Sequence, residues 1–156
     1  MSTKNTDILI ANSVDKTGKS IQIFLAHTLS GNPIVFPYFL KKYAELIEQG
    51  FSHPTLVGSN KTKAIYASID NQIIGALVFE LQEDVGKTTW LLLSVVSQEF
   101  QQRGIFKILH KCLEEFSRSA GSKKIASLVH VNNATMLTSC KSVGRELVFY
   151  RTEKQL

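Results

Sequence analysis

The chain has 156 residues, of which 44% are apolar and 20% are charged, and its formal net charge is +5 at pH 7. This length and balance predict one globular domain, residues 1–156, with a sizeable core. No apolar run approaches the roughly 20 residues of a membrane helix, and residues 1–7 lack the apolar segment of a signal peptide. We therefore expect a cytoplasmic protein without a membrane partner.

The charged residues and the metal-binding residue types narrow the classes of ligand. A positive net charge favours an anionic ligand. The longest basic runs are only the pairs Lys41-Lys42 and Lys123-Lys124, without the aromatic interleaving of a single-strand binder, so no nucleic-acid partner is expected. Cys112 and Cys140 form no CxxC motif and the four histidines are scattered, so we expect neither a metal site nor a disulfide framework.

The first third of the chain predicts one strand and two helices. Residues 7–14 are a short β-rich run. Residues 18–29 have apolar or small side chains at helical spacing, which predicts a helix. After a segment rich in helix breakers, residues 37–50 carry one apolar helical face and stop at a glycine. The residues that set the spacing in the first of these helices are Ile21, Phe24, Leu25 and Thr28.

The remainder alternates strand and helix patterns. The predicted elements are strands over 63–70, 73–81 and 89–96, a helix over 104–119, a strand over 124–131, a helix over 133–143 and a strand over 146–152. The first two strands form a hairpin, and the last helix starts at an asparagine cap. The full order, β-α-α-β-β-β-α-β-α-β, predicts a mixed α/β sheet.

A polar turn, Gln101-Gln102-Arg103-Gly104, directly precedes the helix over 104–119. Strand-to-helix turns at the carboxyl edge of such a sheet usually bind ligands. A helix N-terminus there presents free N–H groups and the positive end of a dipole, which suits a phosphate. Gly104 permits close backbone approach, and Arg103 adds a positive charge. On spacing alone, an ordinary exposed turn is an equal alternative.

Two motifs in this half of the chain resemble those of the GNAT N-acetyltransferase superfamily. The segment VVSQEFQQRGIFKIL is similar to its acetyl-CoA-binding motif, a strand followed by Q/R-x-x-G-x-G/A. Gln101 and Gly104 match that pattern, whereas Phe106 stands where Gly or Ala is usual. The segment VHVNNATMLTSCKSVGRELVFY resembles the second motif of the family through Asn133 and Gly144.

The resemblance implies a mixed central sheet of GNAT type in a single domain, with acetyl-CoA as co-substrate and no metal. Backbone N–H groups from Gln102 to Phe106 would hold the CoA pyrophosphate, and the splayed strand end would pair with the pantetheine arm. Phe106 lies off the apolar stripe of its helix, so we expect the site to survive, with this ring covering the cofactor or packing under a loop. The implied cofactor-binding residues are Val95, Val96, Gln101, Gln102, Arg103, Gly104, Ile105, Phe106 and Asn133.

Transfer of an acetyl group to an amine also requires an oxyanion donor, an acid and a base. The resemblance implies that the backbone N–H of Val96 serves the oxyanion. Cys140 stands where many members carry the tyrosine that protonates the departing thiolate, although a small core-facing residue is the simpler interpretation. His130, Glu80 or a water chain could act as base. The acceptor is expected to be a small-molecule or peptide amine, and a homodimer is compatible with the sequence.

Two other interpretations compete. Residues 13–20, SVDKTGKS, partly match a phosphate-binding P-loop, but Ser13 stands where the first glycine is required. A non-catalytic protein of the same fold that binds acyl-CoA is also consistent with the missing tyrosine, because function belongs to the site rather than to the fold.

Overall fold

A computed structural model describes residues 5–50, 60–82, 87–129, 133–148 and 154–155. Within these residues six strands form one sheet, and there are three α-helices. The strands are β1 (Ile8–Val14), β2 (Ser20–Ala26), β3 (Lys63–Ile69), β4 (Gln72–Gln82), β5 (Thr88–Val96) and β6 (Lys124–Ala126). The helices are α1 (Val35–Glu48), α2 (Ile105–Ser119) and α3 (Ala134–Ser142), and a single 3₁₀ turn, Gln98–Phe100, lies between β5 and α2.

The sheet is mixed, as predicted. Its strands follow chain order from β1 to β6, every neighbouring pair being antiparallel except β5 and β6, which are parallel. The predicted hairpin of β3 and β4 is confirmed, and its turn places Asp70 and Asn71 at positive φ.

The predicted helix over 18–29 is wrong, because these residues contain strand β2. Ile21, Ile23 and Leu25 are buried on one face of the sheet, and Phe24 stacks on Tyr66 on the other face. The second half of the strand, Phe24 to Ala26, is a continuous apolar run that packs on both faces of the sheet. Ile21, Phe24 and Leu25 fall by coincidence at helical spacing. The element after the first strand is therefore the second half of a β-hairpin.

Two predicted strands near the C-terminus differ from the structure. The first is shorter than predicted, and the described residues of the second are not in a strand. The strand predicted over 124–131 ends at Ala126, and residues 127–129 are irregular. Residues 146–148 of the last predicted strand are not in a strand, and residues 149–152 lie outside the described part of the chain. The helix with the asparagine cap is confirmed as α3, with Gly144 at φ 82° just after it.

Each face of the sheet is covered by one helix. Helix α2 packs Ile105, Leu109 and Leu113 on the face that carries Ile23 and Phe79. Helix α1 covers the opposite face with two of its own apolar residues, Val35 and Phe39. Across the described residues, no helix combines the length and apolar character that a membrane span requires.

Strands β5 and β6 separate part-way along their length. Among the described residues their pairing covers Thr88 to Trp90, whereas β5 continues to Val96 beside β4. The register between β4 and β5 shifts where Val78 pairs with Leu93 and Phe79 with Leu91, so Leu92 is an extra, bulged residue. A bulge bends its strand, and the two parallel strands diverge from this point.

Candidate active site

A cleft occupies the space that the two diverging strands leave open. One wall is β5, and the other is the segment that follows β6 together with the start of α3. The described residues that line it are Leu46, Leu91, Leu92, Leu93, Ser94, Ser127, Leu128, Val129, Asn133 and Met136. None of these side chains titrates near neutral pH. The lining therefore suits an uncharged chain that bonds mainly through its own and the protein's amide groups.

The backbone of Val96 faces the side of β5 on which this cleft lies. The N–H of Ser97 donates to the carbonyl oxygen of Ile74 across 2.8 Å, and Val96 lies opposite Gly75. Hydrogen-bonded and non-hydrogen-bonded pairs alternate along an antiparallel ladder. The N–H and C=O of Val96 therefore point away from β4, whereas those of Val95 point toward it.

The turn before α2 joins the end of β5 to the helix N-terminus in a strained conformation. Gln102 has a φ of 63° and Gly104 a φ of 81°, and Gly104 is the N-cap of α2. A left-handed φ at a non-glycine residue is uncommon and costs energy. The side chain of Gln101 donates to the carbonyl oxygen of Val96 across 3.2 Å, which ties the turn to the strand end.

This turn presents a row of free backbone donors. Among the described residues, no acceptor is hydrogen-bonded to the backbone N–H of any residue from Gln102 to Phe106. Unsatisfied N–H groups at a helix N-terminus, reinforced by the helix dipole, form a ready anion site. The residues that the resemblance implied for the pyrophosphate are brought together here.

A glycine on β4 sets how closely α2 approaches the sheet. A Cβ at Gly75 would lie 3.1 Å from the carbonyl oxygen of Val95 and 3.4 Å from side-chain atoms of Ile105 and Leu109. Even one added carbon would be crowded between strand and helix. Gly75 thus lets the N-terminal end of α2 lie directly against the end of β5.

The β1–β2 hairpin loop also reaches the turn. The N–H of Lys16 donates to the carbonyl oxygen of Arg103 across 3.1 Å. The fully buried carboxylate of Asp15 lies 3.7 Å from the Arg103 guanidinium, which also stacks over the Phe100 ring at 5.0 Å. A hydrogen bond from the Thr17 hydroxyl, with smaller contributions that include the charge of Arg103, holds the pKa of Asp15 below its usual value.

The family assignment rests on a sequence match over most of the chain. Residues 32–138 match the acetyltransferase (GNAT) family. The chain belongs to the GNAT acetyltransferase family. The predicted family and the predicted acyltransferase class are confirmed. No curated protein matches the chain significantly.

Solved structures share the fold at low sequence identity. An aminoglycoside acetyltransferase from an uncultured soil metagenomic sample, in complex with sisomicin, is 20% identical with a TM-score of 0.64, over 86% of this chain and 97% of that one. A ribosomal-protein-alanine N-acetyltransferase from Brucella melitensis is 16% identical with a TM-score of 0.68, over 87% and 99%. An aminoglycoside N-acetyltransferase in complex with CoA is 17% identical with a TM-score of 0.60, over 86% and 99%. The predicted GNAT-type fold is confirmed.

Phe106, the departure from the GNAT motif, packs along α2. Its ring centroid lies 5.6 Å from that of His110, one helical turn further on, and the ring is partly buried against the core. The ring therefore packs on the flank of the helix. The free N–H groups of the turn are main-chain groups, so this side chain leaves them in place.

His110 is itself buried without a hydrogen bond. Both ring nitrogens lack a hydrogen-bond partner among the described residues, although Nδ1 lies 3.8 Å from a Glu114 carboxylate oxygen. Burial and the nearby charge of Arg145 lower the pKa of His110, against the opposing effect of Glu114. The neutral imidazole is the form that this site favours.

The structure does not bring the predicted catalytic side chains together in the cleft. Cys140 is buried, its thiol pKa is raised mainly by burial, and it is not among the described residues lining the cleft. His130 lies outside the described residues. Glu80 accepts a hydrogen bond from the Thr62 hydroxyl at 2.7 Å. Their roles remain predictions.

Asn133 has a structural role that its sequence position already indicated. Its side-chain oxygen accepts the N–H of Met136 across 3.2 Å and caps α3. The residue also lines the cleft. Its capping oxygen is thus committed to the helix, and a contact with the cofactor would use its other polar groups.

Two features of the site have no clear signal in the sequence. The Tyr38 hydroxyl lies 2.8 Å from Oγ of Ser97 and anchors α1 to the end of β5; burial raises the pKa of Tyr38. The hairpin loop around Lys16 is the second. In the described part of the chain, no three neighbouring His, Cys, Asp or Glu side chains could hold a metal ion.

Proposed function

We propose that this GNAT-family protein is an acetyl-CoA-dependent N-acetyltransferase that transfers an acetyl group directly from CoA to an amine. The main support for this proposal is the connection between the end of β5 and the turn before α2. Val96 lies two residues beyond Ser94, the last β5 residue that lines the cleft, and its outward-facing carbonyl is bound through Gln101 to the turn whose free N–H groups run from Gln102 to Phe106. A thioester arm in the cleft and a pyrophosphate at the helix N-terminus would match these two sets of donors.

Acetyl transfer to an amine can be supported largely by main-chain groups of the protein. The amine nitrogen forms a bond to the thioester carbonyl carbon, the carbon–sulfur bond breaks, the amine loses a proton and the CoA thiolate gains one. The N–H of Val96 stabilises the negative charge that develops on the carbonyl oxygen, a contribution that typically accounts for about 10²- to 10³-fold in rate. The acetyl-CoA phosphates bind to the main-chain N–H groups of the turn.

We assign protonation of the thiolate to Cys140 and deprotonation of the amine to His130. A thiol whose pKa is raised by burial stays protonated at neutral pH and can donate. An imidazole has an ordinary pKa near 6.5, which suits a general base. The proposed acceptor is a small-molecule or peptide amine, in line with the aminoglycoside and ribosomal-protein acetyltransferases that share the fold.

A second candidate function is binding of acyl-CoA without turnover. The observation that favours it is the described cleft lining, which contains no side chain able to act as acid or base at neutral pH. Such a protein would use the same turn to hold CoA and would signal its loading to a partner.

One assay separates the two functions. Release of CoA thiol from acetyl-CoA is followed with and without a panel of amines that includes aminoglycosides, polyamines and peptides with a free N-terminal alanine. Amine-dependent release, with a matching acetylated product by mass spectrometry, supports the enzyme. Binding of acetyl-CoA without release by any amine supports the second candidate, and the absence of binding contradicts both.

A further inference from the structure

The β1–β2 hairpin lies outside the part of the chain that matches the GNAT family. The match begins at residue 32, whereas the two strands and their loop end at Ala26. The loop nevertheless makes a backbone hydrogen bond to the turn before α2 through Lys16 and Arg103. A segment that the family pattern does not include is thus part of the wall of the proposed cofactor site.

The side chain of Lys16 lies across the helix N-terminus. A Cβ placed on Gly104 would meet Cε of Lys16 at 3.4 Å, Cγ at 3.6 Å and Cδ at 3.9 Å. The stem therefore runs over the N-cap residue of α2, and the ammonium is one bond beyond Cε. The residue is exposed, so its charged end is open to a ligand from solvent.

Lys16 is a cation beside the turn that has no counter-ion among the described residues. Arg103, the positive charge that the sequence placed there, faces the buried carboxylate of Asp15 and lies over the Phe100 ring. Its charge is thus largely balanced within the protein. Lys16 makes no ion pair with any described residue, although it lies beside five free backbone N–H groups.

Asp15 explains why the loop has a fixed position. One carboxylate oxygen accepts hydrogen bonds from the backbone N–H groups of Thr17 and Lys19 and from the Thr17 hydroxyl, at 2.6 to 2.9 Å. Its other oxygen faces Arg103. A single buried carboxylate therefore shapes the hairpin loop and binds it to the turn.

We propose that Lys16 is a phosphate ligand of CoA, supplied to the GNAT cofactor site by the N-terminal hairpin. This inference rests on the proposed function. Lys16 binds one of the phosphate groups of the cofactor, the pyrophosphate or the 3′-phosphate, as a mobile point charge beside the main-chain donors. The partial P-loop match of residues 13–20 thus lies at a phosphate site, although the residues act there as a hairpin loop.

The test is calorimetric binding of acetyl-CoA and dephospho-CoA to the full chain and two variants. Lys16→Met keeps the apolar stem over Gly104 and removes the charge. Lys19→Met removes an equal charge from the same hairpin at an exposed position. We expect Lys16→Met to raise the Kd for acetyl-CoA about tenfold, as loss of one charge-assisted contact does, and Lys19→Met to change it less than about twofold.

Dephospho-CoA, which lacks the 3′-phosphate, shows which phosphate group Lys16 binds. If Lys16 binds the 3′-phosphate, Lys16→Met and the unaltered protein bind dephospho-CoA equally; if it binds the pyrophosphate, the variant is weaker for both ligands. Either result supports a phosphate contact. Equal affinity of Lys16→Met and Lys19→Met for acetyl-CoA overturns this inference alone, whereas failure of the unaltered protein to bind acetyl-CoA overturns the proposed function as well. Thermal unfolding without ligand checks that both variants are folded.

Discussion

The backbone N–H of Lys16 donates to the carbonyl oxygen of Arg103 across 3.1 Å, so an N-terminal hairpin is bound to the turn that opens α2. The turn is in its own right bound to the end of β5 through Gln101 and Val96. Strand end, turn and hairpin loop thus form one connected unit. The free main-chain N–H groups of this unit follow the β5 strand that forms one wall of the cleft.

Replacing Val96 with proline removes the N–H that faces the cleft. Because this N–H is not part of the ladder with β4, we expect the variant to fold. Turnover should fall about 10²- to 10³-fold with little change in acetyl-CoA affinity, as measured by steady-state kinetics and calorimetry. Thermal unfolding without ligand checks that Val96→Pro is folded. Unchanged turnover in Val96→Pro would exclude this N–H as the oxyanion donor.

Replacing Phe106 with alanine tests its position beside His110. The ring is half-buried against the core, so its loss should lower the free energy of unfolding by about 2 kcal/mol and leave acetyl-CoA affinity within about twofold, since the turn binds through main-chain groups. Urea unfolding and calorimetry provide the two measurements. Phe106→Leu, which keeps most of the volume, should cost less than about 1.5 kcal/mol. A marked gain or loss of affinity in the alanine variant would show that the ring meets the cofactor.

Replacing Cys140 with alanine tests the assigned acid. If the thiol protonates the CoA thiolate, kcat falls at least about tenfold while acetyl-CoA binding is retained. Cys112→Ala, at the other cysteine, which is half-buried, is the control and should keep its turnover. An unaltered kcat in Cys140→Ala assigns the residue to the core, and loss of cofactor binding would also contradict the assigned role.

The buried His110 predicts a loss of stability in mild acid. Its pKa is lowered in the folded state, so the unfolded chain binds more protons as the pH falls below its ordinary value near 6.5. The free energy of unfolding should therefore decrease between pH 7.5 and 5.5, and His110→Leu should reduce that decrease. Denaturation at the two pH values measures the effect, with the exposed His27→Gln as control. An equal pH dependence in His110→Leu and the unaltered protein would show that His110 does not cause it.

The secondary structure predicted correctly is that which a pattern of neighbouring residues determines. The stripe through Ile105, Leu109 and Leu113 defines α2, and Gly104 marks its start at φ 81°. Strand β2 has no clear signal in the sequence because the alternation of buried Ile21 and Ile23 with exposed Gln22 is short and leads into an apolar run, Phe24 to Ala26, that packs on both faces. A local pattern cannot reveal which faces a sheet will cover.

The missed parts of the site depend on contacts between distant segments. Lys16 reaches Gly104 only because β1 and β2 pair as a hairpin, and that pairing was hidden by the incorrect helix. Tyr38 meets Ser97 only once α1 lies across the sheet. Asp15 was passed over as part of an imperfect P-loop, although it is the buried carboxylate that positions the loop.

The central claim, that main-chain N–H groups of the turn hold the phosphates of CoA, is tested most directly by amide chemical shifts during titration with CoA. We expect the largest changes at the amides of residues 102 to 106 and of Val96, and almost no change at the amide of Gly121, at the far end of α2. Binding of CoA with these amides unshifted, or no binding at millimolar CoA, would contradict it.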